Sequence, residues 1–267
     1  MRKMKIIVKI GTSTLTYASG CMNIRRIEAL VRVLSDLRNA GNEVILVSSG
    51  AIAMGVGKLN LKERPQDIAG KQAAAAVGQC ELMYTYDKLF SEYNQTVAQI
   101  LLTADDLACD DRHKKFEDTM ERLLELNVLP IINENDTVST AEIKIGDNDT
   151  LAAIVAESVG ADLLILMSDI DGLYTADPHK DPGATLIPEV REWSDELLAL
   201  GGGAGSERGT GGMLTKLRAA KIATDAGCDM LIVNGAYPER LYNIIDNKPV
   251  GTRFFAAAMH NKGGNEG

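Results

Sequence analysis

Two clusters of amide and acid side chains stand close to one apolar run, Asn133-Glu134-Asn135-Asp136 directly after it and Gly146-Asp147-Asn148-Asp149 a little further on. Buried polar groups cost on the order of a few kcal/mol each unless partnered. Clusters so near an apolar strand are therefore solvated, bonded to one another, or holding a ligand. Either cluster alone would serve equally well as a turn signal, since Asn and Asp side chains bond their own backbone in turns.

A second kind of chemistry is anion binding by lysine beside glycine. Lys9-Ile10-Gly11-Thr12-Ser13 puts a lysine at a strand end before a glycine turn whose N–H groups and hydroxyls could face a phosphate. Lysines also finish strands as solvated residues, so this motif alone is weak. Thr210-Gly211-Gly212-Met213-Leu214-Thr215-Lys216 is stronger, because it sets glycines before a predicted helix and a lysine near its first turn, where the helix dipole favours an anion. Ser168-Asp169-Ile170-Asp171-Gly172, continuing to Pro178, follows another apolar strand and lacks the glycine spacing and final glutamate of a calcium-binding EF-hand loop. No glycine-lysine pair completes a P-loop: Leu59 follows Gly57-Lys58 and Gln72 follows Gly70-Lys71. The G-x-G-x-x-G fingerprint fails at Asn60 and at Arg208, which argues against a nicotinamide dehydrogenase.

These groups need elements to position them. Short apolar runs at Ile6–Ile10, Val44–Val47, Val97–Leu102, Val128–Ile132, Leu163–Met167 and Met230–Val233 read as strands buried on both faces, hence parallel. Helical periodicity lies between them. Ile24, Ile27, Leu30, Val31, Leu34 and Leu37 share a face, with Asn23 as N-cap and Gly41 as stop. Further helices are expected over 68–93 (one or two), 112–126, 150–159 and 213–226, the last ended by Gly227. The alternation predicts an α/β fold with a mostly parallel open sheet, helices on both faces and ligands at the strands' carboxyl ends. The glycine-rich run 201–212 reads as a loop within one domain, since the ~55 residues after it make too thin a core for a second. The expectation is a single domain over 1–260 with a short polar tail, 261–267.

Composition narrows the partners. With 267 residues, 45% of them hydrophobic, the chain can bury a substantial core. Its 28 basic and 37 acidic residues give a net charge of −9 without a basic stripe, which argues against nucleic acid and anionic membranes. An anionic ligand must then rely on a few local cations and backbone N–H groups. Cys21, Cys80, Cys109 and Cys228 have neither disulfide-framework nor zinc-site spacing, and no apolar run is long enough for a signal peptide or membrane span. A cytoplasmic protein is expected.

Together V-K-I-G-T-S at the first strand, S-S-G-A at 48–51, I-N-E-N-D at 132–136, G-D-N-D at 146–149, S-D-I-D-G-L-Y-T-A-D-P at 168–178 and T-G-G-M-x-T-K at 210–216 resemble the amino acid kinase family over roughly the whole chain. The resemblance implies a three-layer αβα sandwich and, from I-N-E-N-D with G-D-N-D and T-G-G-M-x-T-K, transfer of the ATP γ-phosphoryl group to the side-chain carboxylate of glutamate, opening proline biosynthesis. Many such members continue into a C-terminal PUA domain, of the kind found in RNA-modifying proteins, where this chain ends. Thr often stands where this chain has Ser168.

The resemblance also implies roles. Lys9 and Lys216 would contact the transferring phosphoryl group, with Asp149 orienting both. Gly11, Thr12, Ser168, Asp169, Thr210, Gly211, Gly212, Met213, Leu214 and Thr215 would line the ATP side with the two lysines. Ser49, Gly50, Asn133, Asp136, Asp147 and Asn148 would hold glutamate, Asp136 suiting the α-ammonium while hydroxyl and amide donors suit carboxylates. Magnesium would ride on the ATP phosphates, with no direct protein ligand named. Proline as feedback inhibitor and a homo-oligomer, dimer or tetramer, are further implications. An ionised acceptor needs no general base, so His113, His179 and His260, outside every motif, are assigned to surfaces. Two rivals stay open: a sister kinase acting on aspartate, acetylglutamate, carbamate or a nucleoside monophosphate, and a non-catalytic amino-acid or nucleotide sensor.

Overall fold

A computed structural model describes residues 3–17, 19–139, 147–178, 180–201 and 212–256. Gly146, Thr210, Gly211, His179, His260 and the 261–267 tail lie outside the described residues. Strands and helices alternate along the chain: β1 (Lys5–Ile10), α1 (Thr12–Leu15), α2 (Ile24–Asn39), β2 (Glu43–Ser48), α3 (Ala51–Lys58), α4 (Ile68–Ser91), β3 (Val97–Leu102), α5 (Ala104–Ala108), α6 (Asp110–Glu125), β4 (Leu129–Glu134), α7 (Asn148–Val159), β5 (Leu163–Ser168), β6 (Glu189–Val190), α8 (Asp195–Leu200), α9 (Met213–Asp225), β7 (Asp229–Asn234), α10 (Arg240–Ile245) and β8 (Thr252–Phe254).

Among the described residues the strands form one eight-stranded sheet in the order β3-β4-β2-β1-β5-β7-β8-β6. All recorded pairings are parallel except β7 with β8. Right-handed crossovers decide which face each helix covers. The chain moves one way from β1 to β2 to β3, so α2, α3 and α4 share a face. It moves the other way from β3 to β4, β5 and β7, so α6, α7 and α9 share the opposite face. Two apolar cores follow. One packs Ile6, Val8 and Ile10 of β1 against α2 and α4, and the other packs Ile7 with Leu164 and Leu166 against α7 and α9. The expected αβα sandwich is thus the observed architecture.

Local chemistry fixes the helix ends. Asn23 accepts a hydrogen bond from Arg26 N and Asp67 from Gly70 N, satisfying donors at the starts of α2 and α4. Asp147 caps α7 at Thr150 N, 2.8 Å, and Gly160 closes it in the left-handed region at φ 59°.

Several expectations need correction. The strand read as 128–132 runs on through Asn133 and Glu134, so those two side chains belong to β4 and not to irregular chain. The helix expected from Thr150 begins at Asn148, which puts Asn148 and Asp149 in its first turn. β3 is the sheet's edge and is only partly buried. His113 is half-buried, and its Nε2 lies 2.7 Å from Ser158 Oγ. The sequence reading missed β6 and β8 and the helices α1, α3, α5, α8 and α10.

Candidate functional site

The polar residues gather where a parallel sheet places them, at the carboxyl ends of β1, β2, β4, β5 and β7. Lys9 is the penultimate residue of β1 and shares its side with Ile7, two residues earlier, so it faces the layer of α7 and α9. Those two helices begin at the same edge. Asp149 sits in the first turn of α7 and Lys216 one turn into α9.

The three side chains meet. Lys9 Nζ lies 2.5 Å from Asp149 Oδ1, and Lys216 Nζ 3.0 Å from Asp149 Oδ2. Asp149 is 1% exposed, Lys9 9% and Lys216 5%. Burial by itself pushes the Asp149 carboxyl up, but the Lys9 and Lys216 ammonium groups outweigh it and hold the group below the usual carboxylate range. Asp147, the N-cap, goes the other way: burial raises it, the Thr150 N–H opposes, and the nearby Asp149 charge adds to the rise. Thr215 Oγ1 donates to Gly212 O at 2.7 Å and reaches Asp149 Oδ2 at 3.4 Å, tying the start of α9 to the same carboxylate.

A second group flanks the first. Asn148 Nδ2 donates to Ser49 Oγ at 2.8 Å, to Asn133 Oδ1 at 3.0 Å and to Ser48 O at 3.3 Å. Gly50 adopts φ 104°, ψ −3°, a left-handed conformation that lets the chain turn from β2 straight into α3 and leaves Ser49 at the edge. Asp136 lies half-buried in the turn after β4, with its N–H donating to Glu134 O at 2.9 Å. The same turn is fastened by Ser139 Oγ donating to Glu134 Oε1 at 2.8 Å.

On the far side of β1, Gly11 caps the short α1, and Thr12 begins it. Ser168 Oγ donates to Asp169 Oδ1 at 3.0 Å. Gly212, Met213 and Thr215 are half-buried at the start of α9, whereas Leu214 is exposed. The candidate residues within the described chain therefore lie at or just after the carboxyl ends of β1, β2, β4 and β5 and at the starts of α7 and α9, with Asp169 and Leu214 exposed there.

The sequence reading gave no role to five residues there, Asp171, Asn234, Arg240, Tyr86 and Gln79. Asp171 Oδ1 accepts from Arg240 at 3.0 Å and from Asn234 Nδ2 at 3.3 Å. Tyr86 OH lies 2.9 Å from Ser48 Oγ in full burial, which pushes the phenol pKa up. Gln79 Oε1 accepts from Asn133 Nδ2 at 2.8 Å. Gln79 had a signal, being the one polar residue on the helical stripe Ala75, Gln79, Leu82, Tyr86, all of them buried.

The chain as a whole is similar to known proteins. The amino acid kinase family model matches residues 4–234. A glutamate 5-kinase from Clostridium tetani is 56% identical over 251 residues, covering 94% of this chain and 94% of that one. A glutamate 5-kinase from Clostridium perfringens is 52% identical over 256 residues, covering 94% and 95%. An isopentenyl phosphate kinase from T. acidophilum, in a product complex, shares the fold with a TM-score of 0.65 at 20% identity, covering 94% of this chain and 99% of that one. On this sequence match across most of its length, the chain belongs to the amino acid kinase family.

Proposed function

We propose that the protein transfers the γ-phosphoryl group of ATP to the side-chain carboxylate of L-glutamate, giving L-glutamyl 5-phosphate and ADP, the first step from glutamate towards proline. The observation that carries this reading is the buried Lys9–Asp149–Lys216 cluster beside the Ser49–Asn148 contact. The similarity to proteins named glutamate 5-kinase supports the choice of acceptor.

The chemistry follows from charge. A glutamate carboxylate is ionised at neutral pH, so its oxygen attacks the γ-phosphorus without giving up a proton. As the new O–P bond forms, the bond to the β-phosphate oxygen breaks and ADP leaves. The obstacle is repulsion between two anions brought into line, and fixed positive groups offset it. Lys9 and Lys216 supply that charge, and Asp149 holds both ammonium groups in place and charged. Gly11 and Gly212 give backbone N–H groups access to phosphate oxygens, and Ser168 and Asp169 border the nucleotide. Ser49, Asn133, Asp136, Asp147 and Asn148 border glutamate.

ATP enters as its magnesium complex. Among the described residues no group of three His, Cys, Asp or Glu side chains could hold a metal ion, and both Asp149 oxygens face ammonium groups. The proposed reading assigns the magnesium to the nucleotide phosphates, as the family resemblance implies. The same reading takes proline, which shares the α-amino acid portion of glutamate, as an inhibitor at the acceptor side. It takes the protein as a cytoplasmic homo-oligomer, dimer or tetramer, of single-domain subunits spanning 1–260.

The test is ATP-dependent hydroxamate formation with L-glutamate, L-aspartate and N-acetyl-L-glutamate, using the wild type and Lys216→Ala with magnesium present. Activity with glutamate alone, abolished in the variant, is expected. Activity with another acceptor would move the substrate assignment, and ligand binding without turnover would make the protein a sensor.

A further inference from the structure

The Asn148–Ser49 contact is the end of a longer chain of side-chain amides that crosses all three layers. Asn133 lies on the same side of β4 as Ile131, the side covered by α4, and from there its Nδ2 donates to Gln79 Oε1 at 2.8 Å. Its Oδ1 accepts from Glu134 N at 2.9 Å and from Asn148 Nδ2 at 3.0 Å. Asn148 comes from the opposite layer and passes its remaining reach to Ser49 Oγ at 2.8 Å. Asn133 is 2% exposed and Gln79 8%.

The polarity of this chain is set from two sides of Asn133, by the Glu134 N–H, which can only donate to Oδ1, and by Gln79, which accepts from Nδ2. A carboxamide has one accepting and one donating end, and two donors cannot face each other. With Gln79 Oε1 accepting, Asn133 must present Nδ2 to α4 and Oδ1 to α7. Asn148 must then answer with Nδ2, the atom that also reaches Ser49. Remove the Gln79 oxygen and Asn133 Nδ2 is left buried without its acceptor, so only the Glu134 N–H still holds the amide and its aim at Asn148 is loosened. α4 is well placed to hold such a group, because Gly78 packs against the Ala51 carbonyl so closely that no Cβ fits between them. Gln79 is thereby fixed relative to the Ser49–Gly50 turn.

We propose that Gln79 is a positioning residue for the acceptor: it sets the orientation of the Asn133 and Asn148 amides and so of the Ser49 hydroxyl, without touching the phosphoryl group. The inference rests on the reading of Ser49 and Asn148 as acceptor-side residues. It separates Gln79 from the lysine clamp, whose ion pairs run through Asp149.

The experiment compares kcat, the KM for the acceptor and the KM for ATP in the wild type, Gln79→Met and Gln79→Glu, with the thermal midpoint of each. Methionine keeps the shape and removes the acceptor; glutamate keeps an acceptor oxygen. Expected is a rise of about tenfold or more in acceptor KM for Q79M with ATP KM within about twofold, and recovery to within about threefold of wild type in Q79E. An unchanged acceptor KM in Q79M, or equal loss for acceptor and ATP, overturns the proposal. Should Q79M fail to fold, Q79E decides, since acceptor KM raised tenfold despite the retained oxygen would also overturn it. The assay uses whichever carboxylate the wild type phosphorylates. A failure of glutamate as substrate thus shows in the wild type, and a failure of the positioning role shows only in the ratio between variants.

Discussion

Lys9 reaches Asp149 at 2.5 Å although one residue is the last but one of a central strand and the other lies in the first turn of a helix in the layer above it. A carboxylate buried to 1% exposure survives there because ammonium groups occupy both its oxygens. Asp149→Asn would leave two buried ammonium groups without their shared counter-charge. Turnover should fall by about 10²-fold, the scale for losing one preorganised charged group, while the ATP dissociation constant changes far less. Nucleotide titration beside steady-state kinetics checks this. Equal losses in the two would remove the orienting role.

The same pair sets an acid limit on stability. The Asp149 pKa is lowered in the folded state, so its contribution is complete above the unfolded value of about 3.9 and is lost as pH falls through the lowered folded value. Urea midpoints of wild type and D149N, followed from pH 7 to pH 3, should keep a constant gap until about pH 4 and converge below it. Convergence already at pH 6 would contradict the assignment.

Lys9→Ala and Lys216→Ala should each lower kcat by about 10²-fold or more, and the double variant should lose much less than the product of the two. Both lysines act through one carboxylate and on one phosphoryl group, so their effects are shared. Single-turnover rates are the direct readout, and strict multiplicativity would mean that the two act separately.

Tyr86→Phe deletes the hydroxyl that meets Ser48 Oγ at 2.9 Å in full burial. The expected cost is about 1 kcal/mol in chemical unfolding, the net worth of one neutral hydrogen bond, because Ser48 Oγ retains its donation to Ser49 O at 3.2 Å. A cost above about 3 kcal/mol would mean that the tyrosine props up more of the edge than this one contact.

Gly50→Ala tests the turn into α3. A Cβ there would meet only Leu15 Cδ1 at an ordinary 3.6 Å, so the penalty comes from φ 104° alone. It should amount to about 1–2 kcal/mol. Acceptor KM should rise with it, since Ser49 is the preceding residue. Differential scanning calorimetry with acceptor kinetics would find either effect missing.

The six long strands and the site lysines could be read from sequence because each is a local signal, an apolar run or a lysine beside glycine. What escaped is what only tertiary contact creates. β6 has two residues and β8 three, and Thr252–Phe254 is a strand because it lies antiparallel to β7. Ala51–Lys58 carries two glycines that weaken a helix in isolation, yet Gly55 and Gly78 are what allow α3 and α4 to touch. From sequence Asn133 reads as a turn residue, because polar residues rarely end a buried strand. Gln79 gives it the partner that permits this. The clamp, with Asp149 between both lysines, is expected from the family resemblance and not from local spacing, because the sharing of one carboxylate depends on α7 and α9 starting side by side.

β1 stands between two sets of strands, and the set containing β2, β4 and β3 is drawn wholly from residues 43–134 while β5 and β7 come from 163–234. On the proposed reading the acceptor-side residues Ser49, Gln79, Asn133, Asp136, Asp147 and Asn148 all fall within residues 49–148, while the nucleotide-side residues flank that stretch, Gly11 and Thr12 before it and Ser168, Asp169 and Gly212 after it. On that reading a gene segment spanning 49–148 could exchange the acid that is phosphorylated and leave the flanking donor residues in place, which would make acceptor identity heritable as a cassette.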